Sequence, residues 1–354
     1  MFDRLLISMP MMVCFFWSIF FLIRCVKGSD EPRVRTGIFL FYAVATILYF
    51  DHWLYFSGVE SIWGEWSYGV VNLCVYPLYY AYLRALTRAH RSVEVTLLLL
   101  PALVAVFLFP LGRFGGHVDH QTMFLFIRLC FAVQVVWVLV RGYNLLFQTI
   151  RRMNDTYSDD RSRLLRPTHT WLLLFGVTAV ISMLLNGVGR DFFAHDAPMI
   201  PAAVMSVLLY GLGFVAAHTA VPADTVPDEH TEATTPVADD QSATLIRKID
   251  AVVREQSLFV NPSLTIQDLA NAVNSNRSYV SAAINQAYGI NFSTYINRFR
   301  VEEAKRILAD CKYALDKQAI ADAIACSGFN SDQTFYRVFK EQTGLTPVQY
   351  RHKQ

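Results

Sequence analysis

The sequence predicts an all-α protein in two parts: a seven-transmembrane-helix bundle, then a soluble domain of two helix-turn-helix units. Composition is the first observation. The 354-residue chain is 54% hydrophobic and 17% charged, whereas soluble domains carry about 25% charged residues. Apolar run length is the second, and a return of helical periodicity after residue 242 is the third. The boundaries that follow are 1–220 for the bundle, 221–243 for a linker and 244–354 for the soluble domain.

Seven apolar runs fill the first part: Leu5–Cys25, Gly37–Phe56, Trp66–Leu86, Val95–Gly112, Met123–Phe147, Thr170–Gly189 and Met199–Ala220. Each approaches the ~20 residues that cross ~30 Å of hydrocarbon. Helix is the expected form, because lipid offers no partner to an open backbone amide. The apolar N-terminus lacks a small-residue cleavage site, so it reads as the first span. Trp53, Trp63, Trp66 and Trp171 fall near span ends, where indole rings anchor.

Loop charge sets the orientation. The loops after spans 1, 3 and 5 hold twelve basic residues, from Arg24 to Arg166, and the opposite side holds Arg4, Arg113 and Arg190. Basic loops stay in the cytoplasm. The expected location is therefore a bacterial inner membrane, N-terminus outside and C-terminal domain in the cytoplasm.

Ionisable residues at the outer ends of spans and in outer loops form a candidate ligand-sensing set: Asp51, His52, His117, His120, Arg128, Asp191 and His195. Intramembrane charge marks function by default. The plainer reading is solvated loop charge, with Arg128 snorkelling outward or paired to Asp51. His117, Asp119 and His120 do not have the spacing of a closed metal site, so no metal is expected, nor any cofactor. Cys14, Cys25, Cys74, Cys130, Cys311 and Cys326 show no paired spacing and read as small buried hydrophobes.

Residues 221–243 hold six acids, no Lys or Arg, and three prolines. Such a segment cannot bury enough apolar surface to order itself. It reads as a flexible tether spanning about 25 Å.

Helical spacing then resumes. Leu245, Ile249, Val252 and Val253 line a first helix. Thr265 and Asp268 form a capping-box pattern, and Ile266, Leu269, Ala270 and Val273 point inward. Asn274 suits a left-handed turn. A second helix covers about 276–288 and closes at Gly289. A connecting helix follows from about Ser293 to Ala309, roughly 25 Å long. The plan then repeats, with helices at about 317–325 and 331–342 and a stop at Gly344. Two such units on one helix can place two recognition helices in successive major grooves, about 34 Å apart.

These residues carry a resemblance. Leu269-Ala270, Tyr288-Gly289, Tyr295, Arg298, Arg300, Glu303-Ala304 and Leu308 belong to an ordered series. It continues through Gly328-Phe329-Asn330-Ser331, Phe335 to Lys340, Thr343-Gly344, Thr346-Pro347 and Tyr350-Arg351. Leu264–Arg351 resembles the AraC/XylS family of transcription regulators along its whole DNA-binding domain. One departure is Ala323-Ile324, where that family usually has Ile-Ala, so local repacking, or weaker engagement by that unit, is expected.

The resemblance and helix geometry together imply DNA contacts from Asn276, Arg277, Ser278, Ser281 and Ala282 on the first recognition helix. On the second they imply Asn330, Asp332, Gln333, Tyr336 and Arg337. Arg pairs bidentately with guanine and Gln with adenine. Asn276 and Asn330 read as N-caps that also suit phosphate. Arg298, Arg300, Lys340 and Arg351 are expected at backbone phosphates, the alternative for each being a solvated charge. Residues 244–354 carry 14 Lys/Arg against 10 Asp/Glu, a net +4, as groove binding requires.

The leading expectation is a one-component regulator on promoter double-stranded DNA, with the bilayer, RNA polymerase and an unidentified outer-side ligand as partners. Homodimerisation would raise the local concentration of DNA-binding units. A second reading has the linker cut to release a ~13 kDa fragment. A third makes the membrane half a transporter with an appended regulator. No HExxH, GxSxG, phosphate loop or nucleotide fingerprint indicates an enzyme.

Overall fold

Each of the seven apolar runs folds as a helix: α1 (Phe2–Val26), α2 (Pro32–Phe56), α3 (Ile62–Leu86), α4 (Val93–Gly115), α5 (His120–Thr156), α6 (Arg166–Val188) and α7 (Met199–His218). The computed structural model describes residues 2–28, 31–59, 62–89, 93–115, 120–188, 199–219, 239–310 and 316–353. Among them every regular element is helical. The chain divides into two compact units. One is Met1–Gln148 with Leu164–Ala223; the other is Thr149–Arg163 with Asp224–Gln354.

In the first unit α2 packs on α1 and α3, α1 also packs on α7, α3 on α4, and α6 on α7. Its interior is aromatic. Phe21 stacks on Tyr42 with centroids 6.0 Å apart, and Phe41, Tyr79 and Phe175 meet at 5.1–6.0 Å. A buried hydroxyl needs a partner, and Tyr42 Oη donates to the Leu209 carbonyl at 2.7 Å.

Two expectations change here. Among the described residues, three helices are long and apolar enough to cross a membrane: Leu5–Val26, Pro32–Phe56 and Leu125–Thr156. Val93–Phe107 and Ala202–His218 are shorter apolar helices. The count of seven helices stands, but fewer meet the spanning criterion, and α3 carries Glu65, Asn72 and Arg84 within its length. Helix α5 also runs well past Phe147, to Thr156. Its extension holds Gln148, Arg151, Arg152 and Met153, all strong helix formers.

The second unit builds the repeated helical plan. Its elements are α8 (Asp239–Glu255), α9 (Ile266–Ala272), α10 (Arg277–Tyr288), α11 (Phe292–Leu308), α12 (Asp316–Ser327), α13 (Asp332–Thr343) and α14 (Pro347–Arg351). Helix α8 begins inside the stretch read as linker; residues 221–238 lie outside the described residues. The first core gathers Ile249 and Val253 of α8 with Ile266, Leu269, Val280, Ile284, Tyr295 and Ile296. The second gathers Val301, Ala304 and Leu308 with Ala319, Ala323, Phe335 and Phe339. Helix α11 thus serves both cores: its N-terminal half belongs to one, its C-terminal half to the other. At the departure from the family pattern, Ala323 is buried and Ile324 packs at the edge of the second core.

Local chemistry sets the helix ends. Thr265 Oγ1 accepts from the Asp268 amide at 3.2 Å while Asp268 accepts from the Thr265 amide at 2.9 Å, a complete capping box. Asn274 takes φ 52° in the turn between α9 and α10, a conformation Asn tolerates. A short 3-10 turn, Leu258–Val260, connects α8 to α9. Residues 156–160 run alongside this connection: the Ser158 amide donates to the Leu264 carbonyl at 3.0 Å, beside a bridge between Tyr157 and Thr265.

Candidate nucleic-acid interface

Helix α10 is the second helix of the first bihelical pair. Asn276 is its N-cap, its side chain accepting from the Tyr279 amide at 2.9 Å. Val280, Ala283 and Ile284 are buried and pin one face to the core. That leaves Arg277, Ser278, Ser281 and Ala282 half-exposed on the rest of the helix. The Arg277 guanidinium donates to Thr156 Oγ1 at 2.7 Å.

Helix α13 is its counterpart. Phe335, Val338 and Phe339 are buried, and Asp332, Gln333 and Tyr336 are exposed. The N-cap is Ser331, whose hydroxyl accepts from the Thr334 amide at 3.2 Å. The expectation that Asn330 caps this helix is therefore corrected: Asn330 is the exposed residue before the cap. Serine and asparagine cap about equally well, and the helix starts one residue later than spacing suggested. Arg337 Nη1 chelates both Glu341 oxygens at 3.0 Å, and its Nη2 lies 2.6 Å from Asp160 Oδ2.

The four expected phosphate contacts separate. Lys340 and Arg298 are exposed, the latter with its guanidinium 5.8 Å from the Tyr288 ring centroid. Arg351 is half-buried. Arg300 departs from expectation. Only 1% of its surface is exposed, so it faces no phosphate in this structure. Its guanidinium donates to the Phe259 carbonyl at 2.8 Å, the Asn261 carbonyl at 2.8 Å, the Ser158 carbonyl at 3.1 Å and Ser158 Oγ at 2.9 Å. Burial pulls the group below its usual range, to about 10, so it stays charged at neutral pH. Carbonyl and hydroxyl dipoles, with the Asp159 carboxylate acting at longer range, hold this charge and fix the connection between α8 and α9 against α11.

A second polar centre supports α10 from behind. Asp250 of α8 accepts from Tyr288 Oη at 2.5 Å and from Tyr295 Oη at 2.7 Å. Burial first, then the Asp250 carboxylate, holds the Tyr288 proton, pushing the hydroxyl up to about 12.

Of the candidate ligand-sensing set, the side chains of Asp51, His52 and Arg128 lie among the described residues. Asp51 is buried on α2, where Ser67 Oγ donates to it at 2.7 Å. His52 lies edge-on to Tyr68 with centroids 5.0 Å apart. Arg128 is exposed, and His120 is the first residue of α5. His117, Asp191 and His195 lie outside the described residues. Among the described residues no group of three His, Cys, Asp or Glu could hold a metal ion.

Sequence reasoning missed Thr156, Ser158 and Asp160. They lie in what read as a basic cytoplasmic loop, where Asp155, Asp159 and Asp160 sit among five arginines. Such mixed charge normally marks a solvated surface, and no periodicity sets these residues apart.

Paired bihelical units sharing one helix, each with a polar outward face on its second helix, define a helix-turn-helix domain. Residues 269–353 match the family described as "Helix-turn-helix domain". Relatives align with the same region. The HTH-type transcriptional regulator YisR of Bacillus subtilis is 35% identical over 88 residues, 25% of this chain and 29% of that protein. The HTH-type transcriptional regulator SAS0078 of Staphylococcus aureus is 31% identical over 104 residues, 29% of this chain and 13% of that protein. The HTH-type transcriptional regulator YtdP of Bacillus subtilis is 32% identical over 90 residues, 25% of this chain and 11% of that protein. The chain thus spans less than a third of the length of these relatives. No solved structure matches it.

Proposed function

We propose that the chain is a membrane-bound, sequence-specific DNA-binding transcription regulator of the AraC/XylS type, coupling an envelope or extracellular signal to promoter binding. The observation that carries the DNA-binding part is the pair of units on α11, each closed by its own core and each leaving polar side chains outward on α10 or α13. Arg277 and Gln333 are the base readers, pairing with guanine and adenine edges. Ser278, Ser281, Ala282, Asp332, Tyr336 and Arg337 complete the two faces. Lys340, Arg298 and Arg351 serve the backbone, setting register without carrying sequence information.

Mapping bound DNA across the genome tests this. Arg277→Ala and Gln333→Ala each remove preference at a few base positions, at a cost of about 1–3 kcal/mol per position. Unchanged occupancy and preference in both variants would show that these faces do not read DNA.

The membrane part rests on the outer surface of the first unit. Phe107, Leu97, Val133 and Val207 are each more than 60% exposed, an apolar surface that a soluble protein rarely offers to water. A lipid surround removes that cost, and the excess of basic residues in the loops after spans 1, 3 and 5 supports a cytoplasmic position for the second unit, with the DNA. A reporter fused after Gln354 is expected to be active in the cytoplasm. Activity on the other side of the membrane would separate the domain from the chromosome and end the proposal.

A further inference from the structure

The arginines assigned to DNA reading are already occupied in this structure, and one short segment occupies both. Arg277 of α10 donates to Thr156, and Arg337 of α13 pairs with Asp160. The two arginines are sixty positions apart on different units, yet their partners are four residues apart. Asp160 is well buried in this pair, its side chain only 6% exposed. The segment is anchored between its two ends. Ser158 is fully buried, its amide bonded to Leu264 and its carbonyl accepting from both Ser293 and Arg300. This is a seated backbone rather than a passing side-chain touch.

We infer that residues 156–160 are an internal brake: they hold Arg277 and Arg337 when no DNA is present, and duplex DNA must displace them. The inference rests on the DNA-binding reading of α10 and α13. A guanidinium turned toward a carboxylate or hydroxyl of its own chain must turn away from it to present its fork to a base edge or a phosphate. The segment directly continues α5, one of the helices long and apolar enough to span a membrane. A shift of α5 on signal would therefore be transmitted to the brake through the chain itself. An element with two seats, docked or displaced, biased from both ends, is the physical requirement for such coupling.

The test uses the full chain in lipid nanodiscs and a fluorescein-labelled, mixed-sequence 40-base-pair duplex, read by anisotropy. The double variant Thr156→Val, Asp160→Asn removes the hydroxyl acceptor and the carboxylate charge at nearly constant volume. If the docked state holds nine-tenths of the molecules, its loss tightens apparent affinity about tenfold. Glu302→Gln removes one negative charge from an exposed site and is expected to change affinity less than twofold. Adding Arg337→Ala to the double variant should cancel most of the gain. Hydrogen exchange on the unaltered chain checks the same idea without a mutation: amides 156–160 lose protection when duplex is saturating. Wild type and double variant binding equally, or a segment still protected on saturated DNA, overturns the brake and leaves the DNA-binding reading standing. Failure of both proteins to bind duplex overturns the two together.

Discussion

Gly328→Ala is expected to destabilise the second bihelical pair by about 4 kcal/mol. Gly328 sits at φ 85° in the turn before α13, a conformation that costs a side-chain-bearing residue about 1–2 kcal/mol. Space adds more. A Cβ there would lie 2.7 Å from the Val260 carbonyl oxygen, with the Phe259 oxygen also in contact. These are backbone atoms, so no rotamer change relieves the overlap. Overpacking of this kind costs about 1–3 kcal/mol. Gly289 is the internal control. Its φ is 67° and a Cβ would meet nothing within 4 Å, so Gly289→Ala should cost only about 1 kcal/mol. Hydrogen exchange at α11 and α13 amides reports both as local opening free energies. Equal effects at the two glycines would show that the close approach to the 258–260 turn carries no energy.

Arg300→Met should cost about 3 kcal/mol. Methionine fills much of the volume but donates nothing. The carbonyls of Phe259, Asn261 and Ser158, and the Ser158 hydroxyl, all lose a charged donor. Each buried acceptor left without a partner costs about 1–3 kcal/mol. The sum is reduced because Asn261 is exposed, its carbonyl also accepts from the Leu264 amide, and the Ser158 carbonyl keeps the Ser293 hydroxyl as a donor. A total of 3 kcal/mol is a large share of the ~5–15 kcal/mol that stabilises a domain. Faster exchange should appear first at α11 and at residues 157–159. A loss below about 1 kcal/mol would mean that water replaces the guanidinium. Gly328 and Arg300 act on the same short stretch, 258–261, from different units. One lets the turn before α13 come close; the other bonds its carbonyls. Together they fix how the first bihelical unit is held against the second.

Much of this was legible in the residues. The capping box at Thr265, the Asn276 cap, the left-handed Asn274 and the stops at Gly289 and Gly344 all rest on chemistry within a few positions. Core spacing likewise reads directly, because Leu269, Val280 and Phe335 fall on their buried faces by helical period alone. Boundaries were less secure. Ser331 rather than Asn330 caps α13, and α5 continues about nine residues past its apolar run, because neighbouring residues suited to either choice leave the outcome to packing.

The chain's own order of side chains determined that a run of helices rich in apolar residues precedes a repeated bihelical domain, since period, caps and breakers act locally. The fate of particular charges was decided only in three dimensions. Arg298 and Arg300 look equivalent in sequence, yet one is exposed and the other is enclosed by carbonyls from distant residues. Asp160 looks like loop charge and instead holds Arg337, 177 positions away. A charge's partner depends on which segments the fold brings together, and residue spacing along a helix carries no record of that.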